Sequence, residues 1–168
     1  LETLLSSAHL VRNIFADWGE DGSPAFAKGN HEKAYRQWPV KQEDYPLLVT
    51  FVWNDAVGDH GGYEVYAHRA LPFGAMAAVL LYTQISQGVC MCLRRIFSIP
   101  QQAYVDDFLR VGPVLWAGLQ ELAFRRIHAL LGIPLKHGKE DLSKCLEALG
   151  HRIAATAMWA GLQLTEKR

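Results

Sequence analysis

The chain has 168 residues, 50% apolar and 20% charged, with 17 Lys and Arg balancing 17 Asp and Glu. That length holds one core of real size but excludes a polymerase complete with thumb, connection and nuclease modules. Zero formal charge excludes a global positive field for gripping phosphate backbones, while Arg94, Arg95, Arg110, Arg125, Arg126, Lys136 and Lys139 leave room for a local basic groove in the second half.

In chain order, residues 1–15 place Leu1, Leu4, Leu5, Ala8, Val11, Ile14 and Phe15 at helical spacing, which predicts an amphipathic opening helix. Residues 17–29 are rich in Gly, Asp, Ser and Pro and read as a loop. Residues 47–53 are β-branched and aromatic, residues 58–62 carry turn chemistry, and residues 63–71 alternate Tyr63, Val65 and Ala67 against Glu64, Tyr66 and His68. A β-hairpin follows from that pattern. After Leu71, Pro72, Phe73 and Gly74, residues 75–97 have the length and composition of a buried helix, with Pro72 suited to its entry. No charge falls between residues 70 and 93, a span long enough for a bilayer. Pro72, Gly74, Thr83, Gln84, Ser86, Gln87 and Gly88 interrupt it, which favours a buried helix over a membrane segment.

Residues 103–111 form a short apolar run broken by Asp106 and Asp107 and bounded by Pro100, Gly112 and Pro113, the pattern of two strands around a tight turn. Residues 114–131 return to helical periodicity, with Gly132 as the C-terminal cap. Residues 141–149, followed by Gly150, fit a capped helix by local rules. Cys90, Cys92 and Cys145 are odd in number and lack metal-ligand spacing, so they read as buried thiols in a reducing, intracellular compartment. The seven histidines form no convincing triad with Ser or Cys, and the five tryptophans read as packing residues. A start at Leu1 rather than Met fits a fragment or a processed form.

The chemistry concentrates at Tyr104, Val105, Asp106 and Asp107. A turn between apolar strands puts adjacent carboxylates at a strand end, where a hard cation such as Mg²⁺ can be held. In two-metal phosphoryl transfer, carboxylates bridge the ion that activates a 3′ hydroxyl and the ion that stabilises pyrophosphate. An isolated Asp pair more often simply caps a turn.

The order of segments adds to this: Ala34, Tyr35, Arg36, Gln37, Pro39 and Val40; then the hairpin; then Leu71 to Gly74; then Tyr104 to Phe108; then Leu131, Gly132, and Ile133 to Lys139; then Leu149 and Gly150. This succession resembles a reverse transcriptase of the retrotransposon type, motifs A to E in turn, over residues 29–153. The resemblance implies an α+β fold, a palm-like antiparallel sheet with packed helices covering one face and a partial fingers β-hairpin. The chain then divides into an N-terminal helix and loop (1–29), a palm with partial fingers (30–153) and a C-terminal tail (154–168) of a single domain. It also implies roles: Asp106 and Asp107 as metal-binding catalytic acids, Lys139 as proton donor to pyrophosphate, Tyr35 as the gate against a ribose 2′ hydroxyl. Phe73 and Gly74 would line the nucleotide pocket, Leu149 and Gly150 would form the primer-grip turn, and the end of residues 141–149 would be a strand.

Two departures stand out. The family's motif A aspartate, five residues before the gate tyrosine, is Asn30 here, and a carboxamide lacks the charge that holds two Mg²⁺ ions side by side. His31 and Glu32 fall out of register to replace it on a strand. Motif B offers Ala75, Met76, Ala77 and Ala78 where relatives present a small polar residue. Two readings follow: a catalytically impaired descendant kept as a binding or structural component of a larger, RNA-containing assembly with protein partners, or an active RNA-directed DNA polymerase fragment of a retroelement using two Mg²⁺ ions. The resemblance implies RNA or an RNA/DNA duplex as ligand for either.

Overall fold

The computed structural model describes residues 2–136, 142–143, 145–148, 151–155 and 160–164. In chain order the elements are α1 (Glu2–Ile14), β1 (Pro24–Asn30), β2 (Val49–Asn54), β3 (Gly62–Ala67), α2 (Met76–Phe97), β4 (Gln101–Tyr104), β5 (Asp107–Pro113), α3 (Ala117–Leu130), β6 (Leu142–Ser143), β7 (Cys145–Ala148), β8 (His151–Ala155) and β9 (Ala160–Leu164). The fold is α+β, with small antiparallel sheets and packed helices. Contacts group the residues into two compact units, Leu1–Glu32 with Thr83–Arg168, and Lys33–Tyr82.

The first unit is built on a sheet of order β4-β5-β1-β6. Its centre corrects the sequence reading, because half of the expected loop is the strand β1, paired with β5 from Pro24↔Pro113 to Asn30↔Asp107. The small residues that suggested a loop serve close packing instead. A Cβ on Gly29 would lie 2.6 Å from the Phe124 ring, so the α3 side chain can lie flat on the strand only where the strand has no side chain. Pro24 stands at the strand's first position, where a missing N–H is tolerated.

Side chains alternate across this sheet, and each face has its own cover. Phe26, Leu109 and Val111 share one face and form a buried cluster with Ala8 of α1 and Ile153 of β8. Phe108 and Arg110 point to the other, where Phe124 and His128 of α3 pack. Helical cover therefore lies on both faces rather than one: α1 occupies the side opposite α3.

The reading of 75–97 as a buried helix is also corrected. Ala78, Tyr82, Ser86, Val89, Cys90 and Leu93 form a buried stripe at three-to-four spacing, whereas Met76 is 87% exposed and Leu80 and Ile96 are each 63% exposed. Among the described residues α2 is the helix long and apolar enough to cross a membrane. Its second half bonds to the β4–β5 hairpin: Gln87 donates to the Ala103 carbonyl and Arg94 Nε to the Gln101 carbonyl at 2.8 Å.

The β4–β5 hairpin forms where the apolar run and its acids indicated it, and α3 ends at Gly132, whose φ of 68° is the left-handed cap. The helical reading of 141–149 gives way to strand, since Cys145–Ala148 pairs with His151–Ala155 in register and sheet pairing overrides the local capping signal. Residues 160–164 extend this sheet as β9. The cysteines are free, but only Cys90 is buried. Burial raises its thiol pKa. The basic groove loses Arg110, which is fully buried in an ion pair with Glu121.

The second unit carries the hairpin β2–β3, six residue pairs from Val49↔Ala67 to Asn54↔Gly62. Strand alternation gives it an apolar face in which Trp53 and Tyr63 meet edge to face at 5.1 Å.

Candidate functional site

The acidic turn is tight. Tyr104 pairs with Asp107, leaving Val105 and Asp106 as the two turn residues. Val105 has φ 55°, a left-handed conformation that costs a β-branched residue about 1–2 kcal/mol. Two contacts hold it there. Ser86, fully buried on α2, donates its hydroxyl to the Val105 carbonyl at 2.6 Å, and the His31 N–H donates to the Asp106 carbonyl at 3.4 Å. No local signal marks Ser86 beyond its being a polar residue in an apolar helix.

Asn30 stands directly across from Asp107 in the last pair of the β1–β5 ladder. Its residue is 7% exposed, and Oδ1 has no hydrogen-bond partner among the described residues. Leaving such an oxygen unpaired costs about 1–3 kcal/mol. The position the resemblance assigns to motif A thus does meet the acidic turn, and it brings a neutral group.

Lys28, two residues earlier on the same strand face, completes the arrangement. Its Nζ lies 3.4 Å from Asp107 Oδ1, with both side chains about three-quarters buried. Period-two alternation over residues 24–30 as a strand puts this lysine on the face of Asn30. The local set is therefore two carboxylates, one carboxamide and one ammonium, a net of one negative charge. A pair of Mg²⁺ ions brings four positive charges and requires bridging anionic oxygens. This donor set does not fit it. Among the described residues no three His, Cys, Asp or Glu side chains gather as metal ligands.

Beneath the turn, on the other face of β1, lies a buried pair that sequence reasoning did not single out. His31, the residue after β1, and His128 of α3 meet Nε2 to Nε2 at 3.0 Å. His128 Nδ1 lies 2.8 Å from the Phe124 carbonyl, which can only accept, so Nδ1 carries the proton and Nε2 is bare. His31 therefore donates. Burial, and then the proximity of His128, push the His31 pKa down to about 3. Burial likewise lowers that of His128. The pair is neutral and holds the strand end against α3.

In the second unit the Tyr35 ring, 7% exposed, contacts Phe73 and Tyr82 with centroids 4.9 Å away in each case. Gly74 takes φ 89°, a conformation glycine alone adopts readily. Phe73 also lines a cleft of about 560 Å³ with Arg36, Thr50, His68 and Arg69. Tyr35, Phe73 and Gly74 are thus gathered in one unit, and Asn30, Asp106 and Asp107 in the other. Lys139, Leu149 and Gly150 lie outside the described residues. No family model and no curated protein matches the chain.

Proposed function

We propose that the chain is a reverse-transcriptase-like domain in which two-metal catalysis is lost, retained as a binding or structural component of a larger assembly that includes RNA or an RNA/DNA duplex and protein partners. The observation that carries this reading is the Asn30–Asp107 pair, a carboxamide facing the acidic turn where catalysis needs a third carboxylate. Ordered motifs and an antiparallel sheet bearing the turn support the ancestry. The Phe73 cleft supports retained binding, because exposed Arg36 and Arg69 suit phosphates and the ring offers a stacking surface.

Primer extension with Mg²⁺ or Mn²⁺ tests the catalytic half, using the unaltered chain, Asn30→Asp and Asp106→Asn. The expected result is no extension by the unaltered chain. Robust synthesis that Asp106→Asn abolishes would instead establish an active polymerase. For the binding half, the unaltered chain should retain a labelled RNA/DNA duplex more tightly than Arg36→Ala/Arg69→Ala, and equal retention counts against the cleft.

A further inference from the structure

We infer that Lys28 is the resident cation of the acidic turn: its ammonium occupies Asp107 and excludes a divalent ion from it. The inference rests on the reading of the turn as a former metal site and adds a second barrier to metal binding, independent of Asn30.

The geometry is specific. Lys28 pairs with Leu109 and Asn30 with Asp107, so Lys28 and Asp107 are diagonal neighbours on one face of the β1–β5 ladder. The ammonium approaches Asp107 Oδ1 to 3.4 Å, and each side chain is less than a quarter exposed, so water screens the pair only in part. Asp106 immediately precedes Asp107 as the second residue of the turn. A divalent ion at Asp107 would have to displace the ammonium or sit beside it, and like charges a few ångströms apart repel strongly where solvent is partly excluded. Restoring the acid at position 30 leaves this cation in place. Asn30 and Lys28 therefore act separately, one by withholding negative charge and the other by supplying positive charge.

The test is Mn²⁺ affinity, read by the loss of the free-ion paramagnetic resonance signal, for Asn30→Asp alone and combined with Lys28→Met or Lys28→Arg. Lys28→Met should tighten binding about tenfold, whereas Lys28→Arg, which keeps the charge, should not. Lys41→Met, which removes an exposed lysine paired with Glu43, controls for net charge and should change affinity less than twofold, about the limit of a distant screened charge. Equal affinity with and without Lys28 in the Asn30→Asp chain overturns the inference and leaves the Asn30 reading intact. Two Mn²⁺ ions bound by the unaltered chain would sink that reading instead. A second measurement needs no change at Lys28: in the Asn30→Asp chain, diamagnetic Mg²⁺ should shift the Lys28 side-chain ammonium resonance as it saturates. An unmoved resonance at saturation also overturns the inference.

Discussion

Asn30 and Asp107 are cross-strand partners, the carboxamide buried with its oxygen unpaired among the described residues and the carboxylate turned toward Lys28. The hairpin turn keeps a fixed shape with an ammonium against its carboxylate. What maintains that shape can be tested apart from any activity.

Ser86 is the first support. Its hydroxyl holds the carbonyl of Val105, whose backbone is in a disfavoured region, and Ser86 is fully buried. Ser86→Ala should lower stability by about 1–2 kcal/mol, the cost of one buried hydrogen bond and an orphaned carbonyl. Urea unfolding of the two chains measures it, and an unchanged midpoint would show that the turn holds itself.

Arg110 is the second. The guanidinium is wholly buried, 2.7 Å from Glu121, and lies 3.8 Å over the Phe124 ring. Burial pulls its pKa down and Glu121 opposes that shift. Glu121→Ala leaves a buried charge without its anion and should cost about 3–5 kcal/mol, far more than a surface ion pair. A loss under about 1 kcal/mol in the same unfolding experiment would contradict the buried pairing.

The histidine pair sets the acid response. His31 and His128 both have pKa values below the ordinary 6.5, so below that pH the unfolded chain binds protons that the folded chain refuses. Stability is therefore fully present above about pH 6.5 and falls as pH drops, by about 1.4 kcal/mol per pH unit for each neutral histidine. For His31 the loss continues toward pH 3, where the folded form would also protonate. Arg110 beside His128 depresses its pKa further, while the Phe124 carbonyl and Glu121 counter that. His31→Gln retains an N–H donor without titrating, and urea midpoints from neutral pH downward should fall less steeply for it than for the unaltered chain. Parallel slopes would show that His31 titrates normally in the fold.

Much of this fold could be read in the sequence, and the exceptions share a cause. The β2–β3 hairpin, the α3 helix with Gly132 and the turn at Asp106 each carry a local pattern of alternation, periodicity or turn chemistry. β1 does not, because Gly29 is small to suit Phe124 of α3, a reason that exists only in three dimensions, and the buried Ala25 and Ala27 add no local strand signal. Cys145–Ala148 shows the converse, a helix-like local signal overruled by pairing with β8. Order in the chain singles out Asn30, Asp106 and Asp107, and pairing brings Asn30 opposite Asp107. Lys28 was hidden by the loop reading of its strand, and the His31–His128 contact joins residues 97 positions apart with no shared motif. Arg110 looked like groove charge, since burial of a guanidinium depends on a partner such as Glu121 that only the packed helix supplies.

The most direct test is Mn²⁺ binding to the chain as it stands, with and without Asp106→Asn. Loss of charge at position 30 predicts that no pair of ions binds at the turn, and that Asn30→Asp strengthens Mn²⁺ binding about tenfold or more in a manner abolished by Asp106→Asn. Two Mn²⁺ ions held by the unaltered chain and released by Asp106→Asn would contradict it.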